Sequence, residues 1–531
     1  MTENNYITMK VYLLLLSAAI LVVSSSYGYK VVVLIPAPSH SHNTLAKGIV
    51  DTLLKAGHEV TWATPYPDKV KNPPKTLHIL DISSVQKFVT GLDMSDRKVS
   101  SGGVAFVKAF STNITLEMIN TPSVRETLVK QQFDAVVTET FFCDFLAGIA
   151  AIQQAPWIVL SATQIYPQLE AQMDEVRTVA TIPLMFNPSD IPMGFVKRAT
   201  NIMVHIAMTV AEWLDRPNTI SLYEKTFAPL ATARGLTLPP FDDAFYNVSI
   251  MFVNSHESIS PPVSVPPNVI NIAGYHMDEN IPPLPKDLQE LLDDSPQGFI
   301  YFSMGSVIRS AALKPHTREA LLKLFSTLPY TVLWKFEEPL TGLPPNVHVR
   351  PWLPQPSILA HKNIKVFITH GGQLSSLEAV RAGVPLLAVP VFGDQPSNAE
   401  RAKRSGYALV VDYSDDMVPE LGQTLKEMLS NDKYAKQAKH LSHLFQSRPV
   451  KPTDLINHYV TLAIETKGAY HLRSLSQKYS WYERWMLDFV AVVLAVIAVL
   501  ITLLKFLVKS VIRKISGKKV YNEKGSKKKR N

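Results

Sequence analysis

The hydrophobic pattern of the chain alternates short, continuous apolar runs with longer stretches in which apolar residues recur at helical spacing. In the first half the continuous runs are YKVVVLIPAP, EVTWAT, FDAVVTE and APWIVLSAT. Runs of this length indicate strands of a parallel sheet that is buried on both faces. Because they alternate with helical patterns such as TLAKGIVDTLLK, the first half is predicted to form an open, doubly wound α/β sheet.

The same pattern begins again after a proline-rich segment. Residues 256–297 contain PPVSVPPNV and IPPLPKDL, which favour a linker region. Beyond it the runs GFIYFSMGS, YTVLWKF, VHVRPWLPQ, IKVFITHGG and PLLAVPVF predict a second parallel sheet. Two Rossmann-like doubly wound domains, over residues 29–255 and 298–450, are therefore expected to face a cleft in which ligands bind.

One segment of the first half is open to three interpretations. Residues 183–215 are apolar and rich in methionine. Helical core is the ordinary explanation for such a composition. A mobile lid over a substrate pocket and a membrane-surface segment are the alternatives, and the sequence does not separate the three.

Both ends of the chain carry membrane signals. Residues 1–28 contain VYLLLLSAAILVV followed by SSSYG, which is typical of a cleaved signal peptide, with a retained anchor as the alternative. Residues 485–508 are long and apolar enough to cross a bilayer of about 30 Å. A basic segment, residues 509–531, follows, so the positive-inside rule puts the C-terminus in the cytosol and both α/β domains in the lumen. Lys528 and Lys529 resemble the di-lysine retrieval signal of endoplasmic-reticulum membrane proteins.

Charge and cysteine content exclude several classes of function. The formal net charge is +8, but the segment from Lys505 to Asn531 alone carries +10, so the rest of the chain sums to about −2. No basic surface for nucleic acid is expected there. Cys143 is the only cysteine, which excludes an intramolecular disulfide and a cysteine-based metal cluster. The histidines are scattered, and no metal site is indicated.

Two shorter features complete the organisation. Residues 451–484 connect the second domain to the predicted span as a return segment. Asn113 and Asn247 each begin an N-glycosylation sequon, which is usable only if these domains are lumenal.

A candidate nucleotide site lies around FITHGGQLSSLEAVRAG. VFITH is predicted to end a strand, and the following helix presents free backbone N–H groups and its positive dipole end near Gly371 and Gly372. Glycine at this turn lets a phosphate approach the backbone closely. Glu378, further along the helix, is suited to accept two vicinal ribose hydroxyls. Upstream, Trp352 offers a flat face for a base, and Gln355 offers an amide for its edge or for a ribose hydroxyl.

Further polar residues follow neighbouring strands. Gly305 and Ser306 come after the first strand of the second half, where a hydroxyl and a backbone N–H suit a diphosphate. Asp394 and Gln395 follow the run PLLAVPVF, and a carboxylate beside an amide suits sugar hydroxyls. Both pairs lie at predicted carboxyl ends of strands, where open α/β sheets bind their ligands.

The block from Trp352 to Gln395, with WLPQ, THGG, a glutamate and FGDQ in order, resembles the signature of the UDP-glycosyltransferases. The resemblance extends over nearly the whole chain. It implies a GT-B type α/β fold, with an acceptor-binding domain over 29–255, a UDP-sugar-binding domain over 298–450 and one C-terminal transmembrane helix.

The resemblance also implies roles for the donor site. Trp352 is expected to stack on uracil, Gln355 to bind the uridine and Glu378 to take the ribose hydroxyls. The remaining expected donor-binding residues are Ser306, His370, Gly372 and Ser375 around the diphosphate, and Asp394 and Gln395 at the sugar. Leu374 stands where many vertebrate members have asparagine, so the sugar cannot be inferred from those members.

A catalytic histidine is the other implication of the resemblance. In this family it follows a serine in the loop after the first strand; His40 and His42 both do so, and the fifteen-residue distance to Gly57 favours His42. A neutral imidazole takes the proton of the acceptor hydroxyl in one direct displacement, which inverts the anomeric carbon. Glu139 and Asp144 are the candidates for the carboxylate that orients the imidazole, and Glu139 is preferred.

The expected activity is transfer of a sugar from a UDP-sugar to a hydroxyl of a small lipophilic acceptor, as in detoxification, by a single-pass protein of the endoplasmic-reticulum membrane. The invertebrate-like sequence favours UDP-glucose over UDP-glucuronate. The UDP-sugar is a co-substrate, and no cofactor is expected. A catalytically silent member that binds a lipophile or a protein partner is the alternative, and homo-oligomer formation is left open.

Overall fold

A computed structural model describes residues 28–90, 103–140, 142–173, 179–184 and 187–527. The predicted signal peptide, except its last residue, and the di-lysine pair Lys528 and Lys529 lie outside the described residues.

The first sheet has seven parallel strands, and its order reverses between the first and fourth strands. The order is β3-β2-β1-β4-β5-β6-β7. The strands are β1 Lys30–Leu34, β2 Glu59–Thr64, β3 Leu77–Asp81, β4 Ala135–Glu139, β5 Trp157–Ser161, β6 Val248–Val253 and β7 Val269–Asn271. β7 lies within the range predicted as a linker.

Helices connect these strands and cover both faces of the sheet. They are α1 His40–Lys55, α2 Gly103–Asn120, α3 Pro122–Lys130, α4 Ala147–Gln153, α5 Pro167–Met173, α6 Phe195–Ala233 and α7 Phe241–Phe245. Short 3₁₀ turns cover Pro67–Lys69, Ser83–Phe88 and Asp144–Leu146. Two separate apolar clusters, one on each face, bury the alternate side chains of the central strands, such as Val32 and Val33 of β1.

The second sheet has six parallel strands in the order β10-β9-β8-β11-β12-β13. They are β8 Phe299–Ser303, β9 Thr331–Lys335, β10 Val347–Arg350, β11 Ile364–Thr369, β12 Leu386–Ala388 and β13 Ala408–Val410. The helices around it are α8 Lys286–Asp293, α9 Pro315–Ser326, α10 Gln355–Leu359, α11 Gln373–Ala382, α12 Gln395–Arg404, α13 Val418–Ser430 and α14 Lys433–Gln446, with a 3₁₀ turn at Ser310–Ala312. Both sheets are parallel and doubly wound, so the predicted fold class is confirmed.

After the second sheet the chain returns to the first. Helix α15, Pro452–Glu465, buries Ile456 and Val460 in the same cluster as β1 and α1. A 3₁₀ turn at Tyr470–Leu472 follows.

Residues 474–531 form a separate unit. It contains a 3₁₀ turn at Leu475–Lys478, α16 Trp481–Arg484 and the long helix α17 Leu487–Lys527. Among the described residues, α17 alone is long and apolar enough to cross a membrane; its apolar part, Leu487–Ser516, has a mean hydropathy of 2.9. The predicted span, 485–508, falls largely within this part.

Two sequence features have clear positions in the first domain. Asn113 is exposed on α2 and Asn247 is exposed just before β6, where its Oδ1 accepts a hydrogen bond from Arg473 Nη1 at 2.7 Å. Residues 195–215 of the Met-rich segment form the start of α6, and most of their large apolar side chains are exposed, whereas Leu184 and Met193, which precede the helix, are buried. Helical core is therefore the wrong interpretation for that part of the segment.

Candidate functional site

Both sheets reverse their strand order at equivalent points, and the candidate residues collect there. In the first sheet β1 pairs with β4, and Leu34 is opposite Thr138 at the carboxyl ends. In the second, β8 pairs with β11, and Ser303 is opposite Thr369. Because ligands of open parallel sheets bind outside such reversal points, the loops after these four strands define the candidate site.

His42 and Glu139 form the centre of the first-domain half. His42 lies in the first turn of α1, where its backbone N–H donates to Ser39 Oγ at 3.3 Å. Its Nδ1 is 2.5 Å from Oε1 of Glu139, the last residue of β4, whose side chain is 1% exposed. An ionised carboxylate accepts but does not donate hydrogen bonds, so this contact places the imidazole proton on Nδ1 and the lone pair on Nε2.

The surroundings of His42 favour its charged form. Burial lowers the pKa of His42, but the charge and hydrogen bond of Glu139, with a contribution from Asp394, raise that pKa above its ordinary value overall. A group with this arrangement can accept a proton at Nε2 and hold the resulting charge against Glu139.

Asp144, the other candidate carboxylate, lies in a different environment. It begins the 3₁₀ turn after β4. Burial raises the pKa of Asp144, while Lys108 and Arg216 oppose that rise. The structure therefore brings Glu139 to His42 and puts Asp144 among charged groups near α2 and α6.

His40 has surroundings that the sequence did not indicate. It begins α1, stacks on Tyr66 with ring centroids 4.7 Å apart, and meets Trp352 of the second domain edge-on at 5.4 Å. Lys69 Nζ is 3.0 Å from its Nδ1. Burial, Lys69 and Lys335 together lower the pKa of His40. His40 is thus a contact between the two domains, beside the ring expected to stack on uracil.

The candidate diphosphate site is built around His370. A Cβ atom at Gly305 or at Gly372 would overlap the His370 imidazole, so both glycines are needed to accommodate that ring. Gly305 also has a φ of +86°, a conformation that favours glycine. Burial, with the nearby Lys335, lowers the pKa of His370 to about 4, so it is a neutral hydrogen-bonding group. Ser306 follows Gly305 and is partly buried.

The candidate uridine site joins α10 to α11. Trp352 is 60% exposed, which leaves its ring open to a stacking partner. Gln355 donates from Nε2 to Glu378 Oε2 at 2.7 Å and to Ser375 Oγ at 3.1 Å, and its Oε1 accepts from Tyr301 at 3.2 Å. Burial raises the pKa of Glu378 to about 7, although the hydrogen bond from Gln355 and the charge of Arg381 oppose the rise.

Asp394 and Gln395 occupy the start of α12, with different partners. Gln395 Oε1 accepts from the backbone N–H groups of Val391 at 2.9 Å and Phe392 at 3.1 Å, so it holds its own loop. Asp394 Oδ2 accepts from Asn398 at 2.6 Å. Burial raises the pKa of Asp394, and His42 is among the groups that oppose the rise. The candidate sugar-binding carboxylate and the candidate base are therefore electrostatic neighbours across the cleft.

Lys335 is a site residue that the motif search missed. It ends β9, is buried, and donates from Nζ to Gly305 O at 2.8 Å and to Glu337 at 2.7 Å. The same ammonium group is 5.9 Å from the ring centroid of Trp352. Its position could have identified it from the sequence, because a lysine at the end of the apolar run TVLWK marks the carboxyl end of a buried parallel strand, where ligands bind.

Two further features lie between the domains. Leu374 packs against the first-domain cluster that contains β1 and α1, so the apolar residue at this position contacts the facing domain. A cavity of about 330 Å³ lies between the loops after β5 and β6 and helix α12. Asp394 and Asn398 line it, together with Gln164 and Ser255 of the first domain, so it adjoins the candidate sugar position.

Two facing doubly wound domains of this kind are the GT-B architecture of glycosyltransferases. The structure is similar to the crystal structure of the kitacinnamycin glycotransferase, with a TM-score of 0.55 and 19% sequence identity, covering 81% of this chain and 98% of that one. At this identity the likeness shows the fold alone.

The chain belongs to the UDP-glucoronosyl and UDP-glucosyl transferase family, whose model matches residues 30–522. It is 30% identical to UDP-glucosyltransferase 2 of Dactylopius coccus, over 95% of this chain and 97% of that protein. It is 26% identical to UDP-glucuronosyltransferase 3A2 of Homo sapiens, over 71% of each chain. The chain is therefore a glycosyltransferase that uses UDP-sugars, as the sequence predicted.

Proposed function

We propose that this enzyme transfers glucose from UDP-glucose to a hydroxyl of a small lipophilic acceptor, with inversion at the anomeric carbon and His42 as the base. The observation that carries the proposal is the 2.5 Å contact between His42 Nδ1 and Glu139 Oε1. It leaves Nε2 as the basic nitrogen, on a histidine whose charged form Glu139 stabilises.

In the proposed reaction the acceptor oxygen attacks the anomeric carbon as Nε2 of His42 takes the hydroxyl proton. The new carbon–oxygen bond forms while the bond to the diphosphate oxygen breaks, and UDP leaves with that electron pair from the opposite face. Glu139 holds the ring and stabilises the imidazolium that results. Asp394 supports the assignment because a carboxylate suited to sugar hydroxyls is an electrostatic neighbour of the same histidine.

The donor is bound in three parts under this proposal. Trp352 stacks on uracil, and Gln355 and Glu378 hold the uridine. The residues proposed at the diphosphate and sugar are Ser306, His370, Gly372 and Ser375, then Asp394 and Gln395. The backbone N–H groups at the start of α11 supply the dipole that favours the diphosphate.

Glucose is preferred to glucuronate as the transferred sugar. The similarity to UDP-glucosyltransferase 2 of Dactylopius coccus is greater, and covers more of both chains, than the similarity to the human glucuronosyltransferase. The proposed location is the endoplasmic-reticulum membrane, with α17 as the single span and both α/β domains in the lumen. The apolar character of α17 supports a membrane anchor.

A donor panel tests the proposal. Microsomes that express the full chain are given a generic phenol with UDP-glucose, UDP-glucuronate or UDP-galactose, and released UDP and the anomeric configuration of the product are measured. We expect UDP release chiefly from UDP-glucose and a β-linked product from the α-linked donor. UDP binding without turnover of any donor would instead favour a catalytically silent member, and an α-linked product would contradict direct displacement.

A further inference from the structure

A buried glutamine at the start of α11 bonds the second domain to the first. Gln373 is 6% exposed and directly follows Gly372 of the candidate diphosphate site. Its Nε2 donates to the backbone oxygen of Asn254 at 2.8 Å. Asn254 follows β6 and is fully buried, and its own Nδ2 donates to Ala162 O at 3.0 Å. Gln373 is therefore tied to a loop of the first domain that is itself held by hydrogen bonds.

The other end of the same amide leads to Asp394. Gln373 Oε1 accepts from Arg401 Nη2 at 3.4 Å, and that nitrogen also donates to Asn398 Oδ1. Asn398 Nδ2 donates to Asp394 Oδ2 at 2.6 Å. Asn398 and Arg401 both lie on α12, which begins directly after Asp394. A continuous chain of hydrogen bonds thus runs from the first domain to the carboxylate at the candidate sugar position.

The chemistry of its members gives this hydrogen-bond chain a single direction. A backbone oxygen and a carboxylate accept hydrogen bonds, while a guanidinium group only donates them. The Gln373 amide must therefore turn its oxygen to Arg401 and its nitrogen to Asn254. By the same rule the Asn398 amide must turn its nitrogen to Asp394. Because buried polar groups are normally paired, the chain holds each of these side chains in one orientation.

The charges at the two ends of α12 act on each other through the same chain. Burial raises the pKa of Asp394, and the hydrogen bond from Asn398 and the charge of Arg401 are among the effects that oppose the rise. Burial lowers the pKa of Arg401 to about 10, with Tyr407 and Asp394 opposing the fall. Arg401 is therefore a cation at neutral pH, and Asn398 connects it to the carboxylate that it helps to keep ionised.

We propose that Gln373 is a positioning residue that orients the Asp394 carboxylate toward a hydroxyl of the donor sugar, acting through Arg401 and Asn398. This inference rests on the proposed function, in which Asp394 binds that sugar. The loop after β6 of the first domain then acts on a sugar contact made by the second domain. Uracil and ribose are bound by other side chains, so breaking the chain should weaken binding of UDP-glucose and spare binding of UDP.

The binding of these two nucleotides tests the proposal. Isothermal titration calorimetry on the full chain in detergent micelles gives the Kd for UDP and the Kd for UDP-glucose. Gln373→Met removes both hydrogen bonds of the amide at similar side-chain size, and Arg401→Met breaks the chain but leaves the bond to Asn254. Arg404→Met is the matched control, because this arginine of the same helix donates to Ser189 O of the first domain at 2.5 Å and lies outside the chain.

We expect Gln373→Met and Arg401→Met each to raise the Kd for UDP-glucose by about tenfold while the Kd for UDP changes by less than about twofold, because only the sugar contact is misaligned. The double variant should raise the Kd for UDP-glucose no further, since both substitutions break the same chain. Arg401→Lys keeps a charged donor and should recover part of the affinity. Arg404→Met should match the wild type with both ligands.

Asp394→Asn separates this inference from the proposed function. If Asp394→Asn left the ratio of the two Kd values unchanged, the proposed sugar contact would itself be wrong. If it weakened UDP-glucose binding alone, while Gln373→Met and Arg401→Met bound both ligands as the wild type does or lost both equally, only the positioning role would be overturned. Retained UDP binding shows that a variant is folded. Should Gln373→Met fail to fold, the comparison of Arg401→Met with Arg401→Lys decides by the same criterion.

Discussion

His42 and Glu139 come from different segments of the chain, yet Nδ1 of the histidine is 2.5 Å from Oε1 of the glutamate. The parallel pairing of β1 with β4 brings them together, because α1 begins shortly after β1 and Glu139 ends β4. Glu139 is almost fully buried, so its charge acts on His42 with little screening by solvent. This relationship leads directly to two predictions about catalysis.

Glu139→Gln should lower kcat/KM by about 10³-fold, because an amide cannot hold the Nδ1 proton or stabilise the imidazolium as the carboxylate does. Asp144→Asn is the matched control: it removes a buried carboxylate of the same segment that lies beside Lys108 and Arg216. Steady-state UDP release measures both. A larger loss in Asp144→Asn than in Glu139→Gln would contradict the assignment.

The pH dependence of kcat/KM for the acceptor, measured at saturating UDP-glucose, should have an acid limb set by His42, because donor saturation removes the effect of Glu378 on donor binding. Neutral His42 is the active form, so activity falls as pH drops through its pKa. Glu139 and Asp394 raise this pKa, so the midpoint should lie above about 6.5, the ordinary value for histidine. In Glu139→Gln the midpoint should move to lower pH, since the stabilising charge is gone. If the midpoint in Glu139→Gln were equal to or above that of the wild type, Glu139 would be excluded as the source of the raised His42 pKa.

Donor binding should carry a separate pH dependence from Glu378. Its pKa is raised to about 7, and the ionised carboxylate is the better acceptor for ribose hydroxyls. Affinity for UDP-glucose should therefore fall as pH drops through about 7, by up to about tenfold per pH unit. Isothermal titration calorimetry without acceptor measures this affinity at each pH. UDP-glucose is used rather than UDP because it has no terminal phosphate that would itself titrate near pH 7. The Glu378→Gln variant should bind UDP-glucose weakly and without this pH dependence. An unchanged pH profile in the variant would exclude Glu378 as the group that titrates.

Gly372→Ala should weaken UDP-glucose binding by about tenfold, because its Cβ would overlap the His370 imidazole and displace it. The overlap should also cost about 1–3 kcal/mol of stability. Gly194→Ala is the control: a Cβ there meets no described atom within 4 Å, and its φ of −65° suits alanine. Calorimetry and thermal unfolding compare the two. If both variants bound UDP-glucose equally well, the absence of a side chain at Gly372 would not be needed for the position of His370.

The fold was largely predictable where strands are buried on both faces. The runs that became β1, β2, β4, β5, β8, β9, β11 and β12 are continuous and mostly apolar, because a parallel sheet covered by helices leaves no polar face. β10, VHVR, was predicted although it is a half-buried edge strand, and β6, VSIMFV, was not predicted although all six of its residues are buried. β3 was not predicted because it is an edge strand whose residues are exposed or half-buried. β7 is three residues long and lies among prolines, so tertiary pairing with β6 decides it.

The candidate site was predictable to the extent that strand ends determine it. Residues after β8, β11 and β12 were identifiable because parallel strands share one carboxyl edge. Contacts that depend on which strands are neighbours in the sheet were not identifiable from the sequence. Lys335 reaches the Gly305 carbonyl only because β9 pairs with β8, and His40 meets Trp352 only because the domains face each other. The choice between Glu139 and Asp144 likewise depended on where β4 ends.

The most direct test of the proposed mechanism compares His42→Ala with the wild-type enzyme in two measurements on the same preparation. One is kcat for UDP release from UDP-glucose with a phenol acceptor, and the other is the Kd for UDP. We expect kcat to fall by about 10³-fold or more while the Kd changes less than about twofold, because His42 acts on the acceptor proton rather than on the nucleotide. Retention of kcat within about tenfold of the wild type, at unchanged Kd, would contradict the assignment of His42 as the base.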